Sequence, residues 1–230
     1  MPSSATLQKV ADLAADQWGL LTRQQALGAG IAPATLARMT GELLQPVARG
    51  VYHVAIAPIP DLLDLRAAYL QLAPEVPVWQ RKGEHGVVSH RSAAAVYHLG
   101  HLPADTHQFT LPERRRVRRS DVRIYVDRLE EKPWVALSGL LVTRPSRIVA
   151  DLLWDEQDHE AVARIAGDAL RNGSDRPSTF VEELAPLARR LGFREGAGES
   201  VLRWLLEIGG DQEVARSTLE ALADESRAAR

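Results

Sequence analysis

The stretch LTRQQALGAGIAPATLARM, residues 21–39, decides how this chain is read. Thr22 followed by Gln25 has the spacing of a capping box, in which the hydroxyl accepts from the N–H three residues on while the Gln25 side chain reaches back to the Thr22 N–H. A helix opened there runs to about Ala29, and Gly30 supplies the positive φ that closes it. Pro33 stands where a first-turn proline gives up no hydrogen bond, so Gly30-Ile31-Ala32-Pro33 reads as a tight turn into another helix. Two short helices joined by a glycine-containing turn make a helix-turn-helix pattern. Upstream, Leu7, Val10, Ala11, Leu13, Ala14 and Trp18 recur at helical spacing before Gly19.

Downstream of Thr40-Gly41 the pattern changes to Leu43-Leu44-Gln45-Pro46-Val47, then Ala48-Arg49-Gly50, then Val51-Tyr52-His53-Val54. This predicts a two-stranded hairpin with Pro46 on an edge strand and Arg49 at its tip. Helix, helix-turn-helix and hairpin in that order make a winged helix over residues 1–57. On duplex DNA such a unit lays its third helix in the major groove while the wing meets the backbone or minor groove. Ala34, Thr35, Arg38 and Met39 are then the groove-facing candidates, with Leu36 turned to the core. Alanine can touch a thymine methyl, threonine can hydrogen-bond a base or phosphate, and arginine can fork onto guanine. Arg49 is the natural phosphate or minor-groove contact, and Lys9, Arg23 and Gln24 are lesser backbone candidates. Winged helices also act as protein-binding modules, and one arginine is little charge for a DNA-reading helix. A winged-helix adaptor that binds and neutralises a partner protein is therefore the alternative.

The 230 residues carry a formal net charge of −2, which by itself argues against a nucleic-acid partner. The mean conceals a gradient: 4 basic and 3 acidic side chains in residues 1–55, 14 and 10 in 56–150, and 10 and 17 in 151–230. Basic excess in the first two thirds and acid in the last suggest that one end meets a polyanion. With no cysteine, thiol catalysis, disulfides and cysteine zinc sites are excluded. No stretch approaches the roughly 20 apolar residues of a membrane span, and Met1 to Val10 lacks a signal-peptide pattern. A cytoplasmic protein with no membrane partner is expected.

Residues 58–230 read as a second, mixed α+β domain whose part from about 156 onward is helical. Pro58-Ile59-Pro60 is a linker, followed by helical spacing from Asp61 to Leu72. Val87-Val88 leads into a helix from Ser89 to Gly100, with Ser89 as its cap. A strand at His107–Leu111, a basic loop at 112–121 and a strand at Val122–Val126 come next. The loop gathers Arg114, Arg115, Arg116, Arg118 and Arg119, whose guanidinium groups suit phosphate oxygens. Its alternative is a solvated hairpin paired with Glu113, Asp121 and Asp127. Trp134 to Thr143 reads as a hairpin turned at Ser138-Gly139, with Thr143 capping the next helix.

Enzymatic readings are weaker. His98 and His101, with His90 and His107 nearby, lack an acid at ligand spacing and read as helix-end histidines. The acids after residue 155 lie in helical patterns rather than clustered on the sheet that a metal nuclease needs. Trp154 and Trp204 read as core or interface anchors. No catalytic residue, metal or cofactor is predicted.

Several of these short motifs occur in a telling order. Gly30 to Leu36, Arg49-Gly50-Val51-Tyr52, Val88 to Ala94, Gly139 to Arg147 and Ala150-Asp151-Leu152 together resemble the AbiEi-type antitoxins of type IV toxin–antitoxin systems, over roughly residues 5–155. The resemblance implies an N-terminal winged helix that binds repeats in its own promoter as a repressor, and a second domain that supports repression and antitoxin action. It also implies a nucleotidyltransferase-fold toxin that is counteracted, often without a stable complex. Carried over by position, DNA reading falls on Ala34, Thr35 and Arg38, and the wing role on Arg49. Arg114 to Arg119 matches a similarly basic stretch in relatives.

Overall fold

Leu20 and Leu21 are sequence neighbours, both fully buried, and they feed two different cores. The reason is a short strand, β1 (Leu20–Thr22), which the sequence reading takes only as a helix start. In the computed structural model, which describes residues 2–115, 119–127, 129 and 134–228, this strand joins the wing to make a three-stranded sheet of order β1-β3-β2. The wing strands are β2 (Leu44–Ala48) and β3 (Val51–Val54). Pairing is antiparallel throughout, Leu21 facing Tyr52 and Leu44 facing Val54, with an irregularity between Pro46 and Ala48. Pro46 lies on the edge strand, where its missing N–H breaks no ladder bond.

Successive strand side chains point to opposite faces, so the sheet has a core on each side. On one face Leu21 packs with Val10 and Ala14 of α1 (Ser4–Ala15), Ala26 of α2 (Arg23–Gly28), and Leu36 and Met39 of α3 (Pro33–Met39). On the other, Leu20 and Val51 pack with Ala67 and Leu70 of α4 (Leu63–Leu72) and with Val78. The expected capping box is formed at Thr22 and Gln25, and Pro33 opens α3 in its first turn. The fold is α+β.

By packing, the chain divides into two units: Met1–Val88 with Phe109–Leu129 and Ala136–Leu141, and Ser89–Gln108 with Glu130–Val135 and Val142–Arg230. The winged helix is one part of the first unit. A second sheet, of order β6-β5-β4-β8-β7, is built from β4 (Val87–Val88), β5 (His107–Leu111), β6 (Val122–Val126), β7 (Trp134–Leu137) and β8 (Leu140–Thr143). The β7–β8 turn is the expected Ser138-Gly139, both at positive φ (49° and 81°), the combination of a two-residue hairpin turn. The Ser138 carbonyl accepts from Trp18 Nε1 at 2.8 Å and Arg66 Nη1 at 3.0 Å, and the Arg66 guanidinium lies 4.4 Å from the Trp18 ring centroid.

The second unit holds α5 (His90–Val96), α6 (Pro145–Trp154), α7 (His159–Arg171), α8 (Pro177–Leu184), α9 (Gly198–Gly209) and α10 (Gln212–Ala228). A 3-10 turn at Ala185–Leu187, containing Pro186, follows α8. Gly198 lets α9 start against α8, since a Cβ there would stand 2.0 Å from the Val181 carbonyl oxygen. Two expected caps differ. Thr143 is fully buried as the last residue of β8, so Arg144 takes the cap position and Asp175 Oδ2 accepts from the Ser146 N–H (3.1 Å) and hydroxyl (2.7 Å). Ser89 stands at the cap position of α5 without a capping bond, its hydroxyl 3.0 Å from His90 Nδ1. Trp154 is 59% exposed with Arg190 over its ring, whereas Trp204 packs on His159 and Phe193.

Two predictions follow from burial. Arg81 is 6% exposed and donates to the carbonyls of Tyr69, Leu70, Ala73 and Val76. Replacing it by Met should cost about 3 kcal/mol or more, because buried acceptors lose their donors. The urea midpoint read from tryptophan fluorescence measures this, and a loss below about 0.5 kcal/mol would contradict the assignment. In the second unit, burial and the Asp175 carboxylate push the Tyr97 phenol up to about 12, with Arg144 opposing. A raised folded value keeps the neutral phenol, so its contribution is complete below the unfolded value of about 10 and is lost as pH rises through the folded one. The unfolding midpoint should fall across that window, and Tyr97→Phe should fall less.

Candidate nucleic-acid interface

Helix α3 has two faces. Leu36 and Met39, three residues apart and therefore one above the other, are each 1% exposed and pack into the helix-turn-helix core. Met39 was expected among the groove-facing residues and is not one of them. An unbranched, flexible thioether is well suited to filling a gap beside Leu36, and it closes the core against Leu44. Ala34 and Arg38 are exposed and Thr35 is half-buried. Arg38 Nη2 donates to Thr35 Oγ1 at 3.3 Å, so the arginine is folded toward the helix start, where base edges would lie. Ala37 is also exposed and extends the same surface.

Arg49 is exposed at the wing tip, beside Gly50 at φ +73°. The Gly50 carbonyl accepts from the Arg23 N–H at 2.8 Å, which brings the start of α2 alongside the wing turn and leaves the Arg23 side chain exposed there. Lys9, by contrast, is engaged: its Nζ donates to the Ala29 carbonyl at 2.8 Å, at the C-terminal end of α2, where a cation is favoured.

The arginine hairpin belongs to the same unit as the wing. Arg116 and Arg118 lie outside the described residues. Arg114 and Arg115 are exposed, and Arg115 Nη1 donates to the Leu72 carbonyl at the end of α4. Arg119 has a different position. Its Nε donates to Asp121 Oδ1 at 2.9 Å, its Nη2 pairs with Asp121 Oδ2, and its Nη1 donates to Gln71 Oε1 at 2.9 Å. The hydrogen-bonded Asp121 carboxylate raises the Arg119 pKa despite partial burial. For this arginine the hairpin pairs internally, as the alternative reading expects of Asp121.

Gln71 Nε2 in turn donates to the Arg49 carbonyl at 2.8 Å. One amide thus stands between wing tip and hairpin. Sequence reading missed both Gln71 and the Leu72 carbonyl. Gln71 is a polar residue between Leu70 and Leu72 in a helical run, and nothing local separates it from any solvated helix position.

Elsewhere, Ser89, His90 and Asp151 come together in the second unit. Ser89 Oγ and Asp151 Oδ2 both approach His90 Nδ1, at 3.0 and 4.0 Å. Asp151 also accepts from Arg147 Nε at 2.7 Å. His98 and His101 are exposed. Among the described residues no three His, Asp or Glu side chains gather to hold a metal, and no helix is long and apolar enough to cross a membrane.

No curated protein matches the chain. A family model does match, and the matched segment runs from α1 to the second strand of the wing. Residues 8–55 match the model described as transcriptional regulator, AbiEi antitoxin.

Proposed function

We propose that this chain is a DNA-binding transcriptional repressor and the antitoxin of a type IV toxin–antitoxin system. In this reading it represses its own operon by binding double-stranded promoter DNA, and it counteracts a nucleotidyltransferase-type toxin without depending on a stable complex with it. Residues 1–57 are the sequence-reading domain and 58–230 the antitoxin domain. The observation that carries the reading is the two-faced α3: inside the segment that matches the regulator family, Leu36 and Met39 face inward while Ala34, Thr35 and Arg38 are left for a groove. Arg49 at the wing tip and Arg23 beside it supply backbone contacts, as do Arg114 and Arg115 of the hairpin. The proposal extends to Arg116 and Arg118. Arg119 acts as a brace.

Base contacts carry sequence preference and phosphate contacts carry salt-dependent affinity. Arg38→Ala should therefore lower discrimination between the upstream duplex and a scrambled duplex by about 1–3 kcal/mol, with the salt slope little changed. Arg49→Ala should weaken both duplexes alike and reduce the slope by about one. Fluorescence anisotropy titrations at several salt concentrations read both effects. Failure of the wild-type chain to bind its own upstream DNA would overturn the repressor reading. For the antitoxin part, co-expression with a neighbouring nucleotidyltransferase-like protein should restore growth, and no rescue would remove it.

A further inference from the structure

We infer that Gln71 is a positioning residue for DNA binding, holding the wing tip and the arginine hairpin in one fixed relation so that both meet the phosphodiester backbone of the same duplex. This rests on the DNA-binding reading above. Gln71 lies in the last turn of α4, and both ends of its amide are used: Nε2 donates to the Arg49 carbonyl at 2.8 Å and Oε1 accepts from Arg119 Nη1 at 2.9 Å. The orientation of the amide is fixed by its partners. Turned over, it would set its N–H group against a guanidinium and its oxygen against a carbonyl. One residue further, the Leu72 carbonyl accepts from Arg115 Nη1. The end of α4 therefore touches the hairpin twice and the wing tip once.

Stability does not explain this bond. The wing is already held by Val51 in the core under β3, with Leu20, Ala67 and Leu70, and by its pairing with β1. The Gln71–Arg49 contact is at the exposed surface, where one hydrogen bond adds little to folding. What it does determine is where the Arg49 backbone, and hence its side chain, stands relative to the hairpin. Arg119 is committed to Asp121 and Gln71, so it holds the hairpin while the exposed side chains of Arg49 and Arg114, and the guanidinium of Arg115 beyond its bond to Leu72, serve phosphates. Preorganised cations lose less freedom on binding than independent ones, and a fixed spacing lets them act on one strand together.

The test uses the full chain and two duplexes of equal length, its own upstream region and an unrelated sequence. Gln71→Met keeps length but has neither donor nor acceptor. Gln71→Glu keeps the acceptor for Arg119 and loses the donor to Arg49. Both variants should keep the wild-type thermal midpoint and weaken binding to both duplexes about fivefold or more, with a salt slope smaller by about one contact. In an Arg49→Ala/Arg115→Ala background, Gln71→Met should change affinity less than twofold, because two of the three exposed arginines it positions are gone. Wild-type affinity and slope in Gln71→Met would overturn the inference, as would an undiminished effect in the double-alanine background. If Gln71→Met lowers the thermal midpoint, Gln71→Glu carries the test alone: wild-type binding by it overturns the inference. A wild-type chain that binds neither duplex at low salt overturns the DNA-binding reading itself, a result distinct from all of these.

Discussion

The buried guanidinium of Arg81 is the interaction on which the first unit depends. Helix α4 ends at Leu72 with Ala73 in a non-helical conformation and Pro74 next, so its last turn cannot continue and has no glycine to fold its carbonyls back. Those carbonyls would otherwise be orphaned. Arg81 returns across the turn and donates to Tyr69, Leu70 and Ala73, its charge resting 4.5 Å from the Tyr69 ring centroid and close to the negative end of the helix. Burial lowers its pKa, but the starting value is so high that the group stays charged. The short chain from Ala73 to Arg81 is held by this arrangement, and the winged helix is built against it.

That attachment is polar as well as apolar. Gln17, fully buried between α1 and β1, donates to the Leu20 carbonyl at 3.1 Å, pairs with the Gln25 amide at 2.9 Å, and accepts from the Val78 N–H at 3.1 Å. Thr22 accepts from Gln25 and donates to the Pro74 carbonyl. A buried network with its polar groups satisfied specifies one arrangement, since any slip leaves a donor or acceptor unpaired. Here it joins the residue that caps the first helix of the helix-turn-helix to the segment held by Arg81.

Legibility followed the range of the forces. The capping box at Thr22 and Gln25, the Pro33 start, the wing turn at Arg49-Gly50 and the Ser138-Gly139 turn depend on neighbours within a few residues and were readable. β1 was not, because Leu20, Leu21 and Thr22 are all buried and show no alternation; the strand exists only because cores lie on both faces of its sheet. Met39 was misread for a related reason. Its spacing from Leu36 fits the buried face and its place beside Arg38 fits the exposed one, and only the packing against Leu44 decides. At the candidate interface, exposed arginines could be found from charge density. Their partners could be found only in part: Asp121 stands with Glu113 and Asp127 among nearby acids, whereas Gln71 lies 48 residues from Arg119.

Charge distribution then determines how the two elements divide the work. In the DNA-binding reading proposed above, helix α3 brings one arginine, hydrogen-bonded to Thr35, so its part in binding depends on fit at base edges and tolerates little error in position. Phosphate attraction is long-ranged and falls off over roughly 10 Å at ordinary salt, so the cations that supply it need only lie along the backbone. In that reading, Arg49 and Arg115, both tied to the end of α4, and Arg23, bonded to the wing turn, place affinity on elements that do not read sequence. Register for α3, in the same reading, comes from the platform that carries the buried polar network, which joins Gln17, Thr22 and Gln25 to Pro74 and Val78.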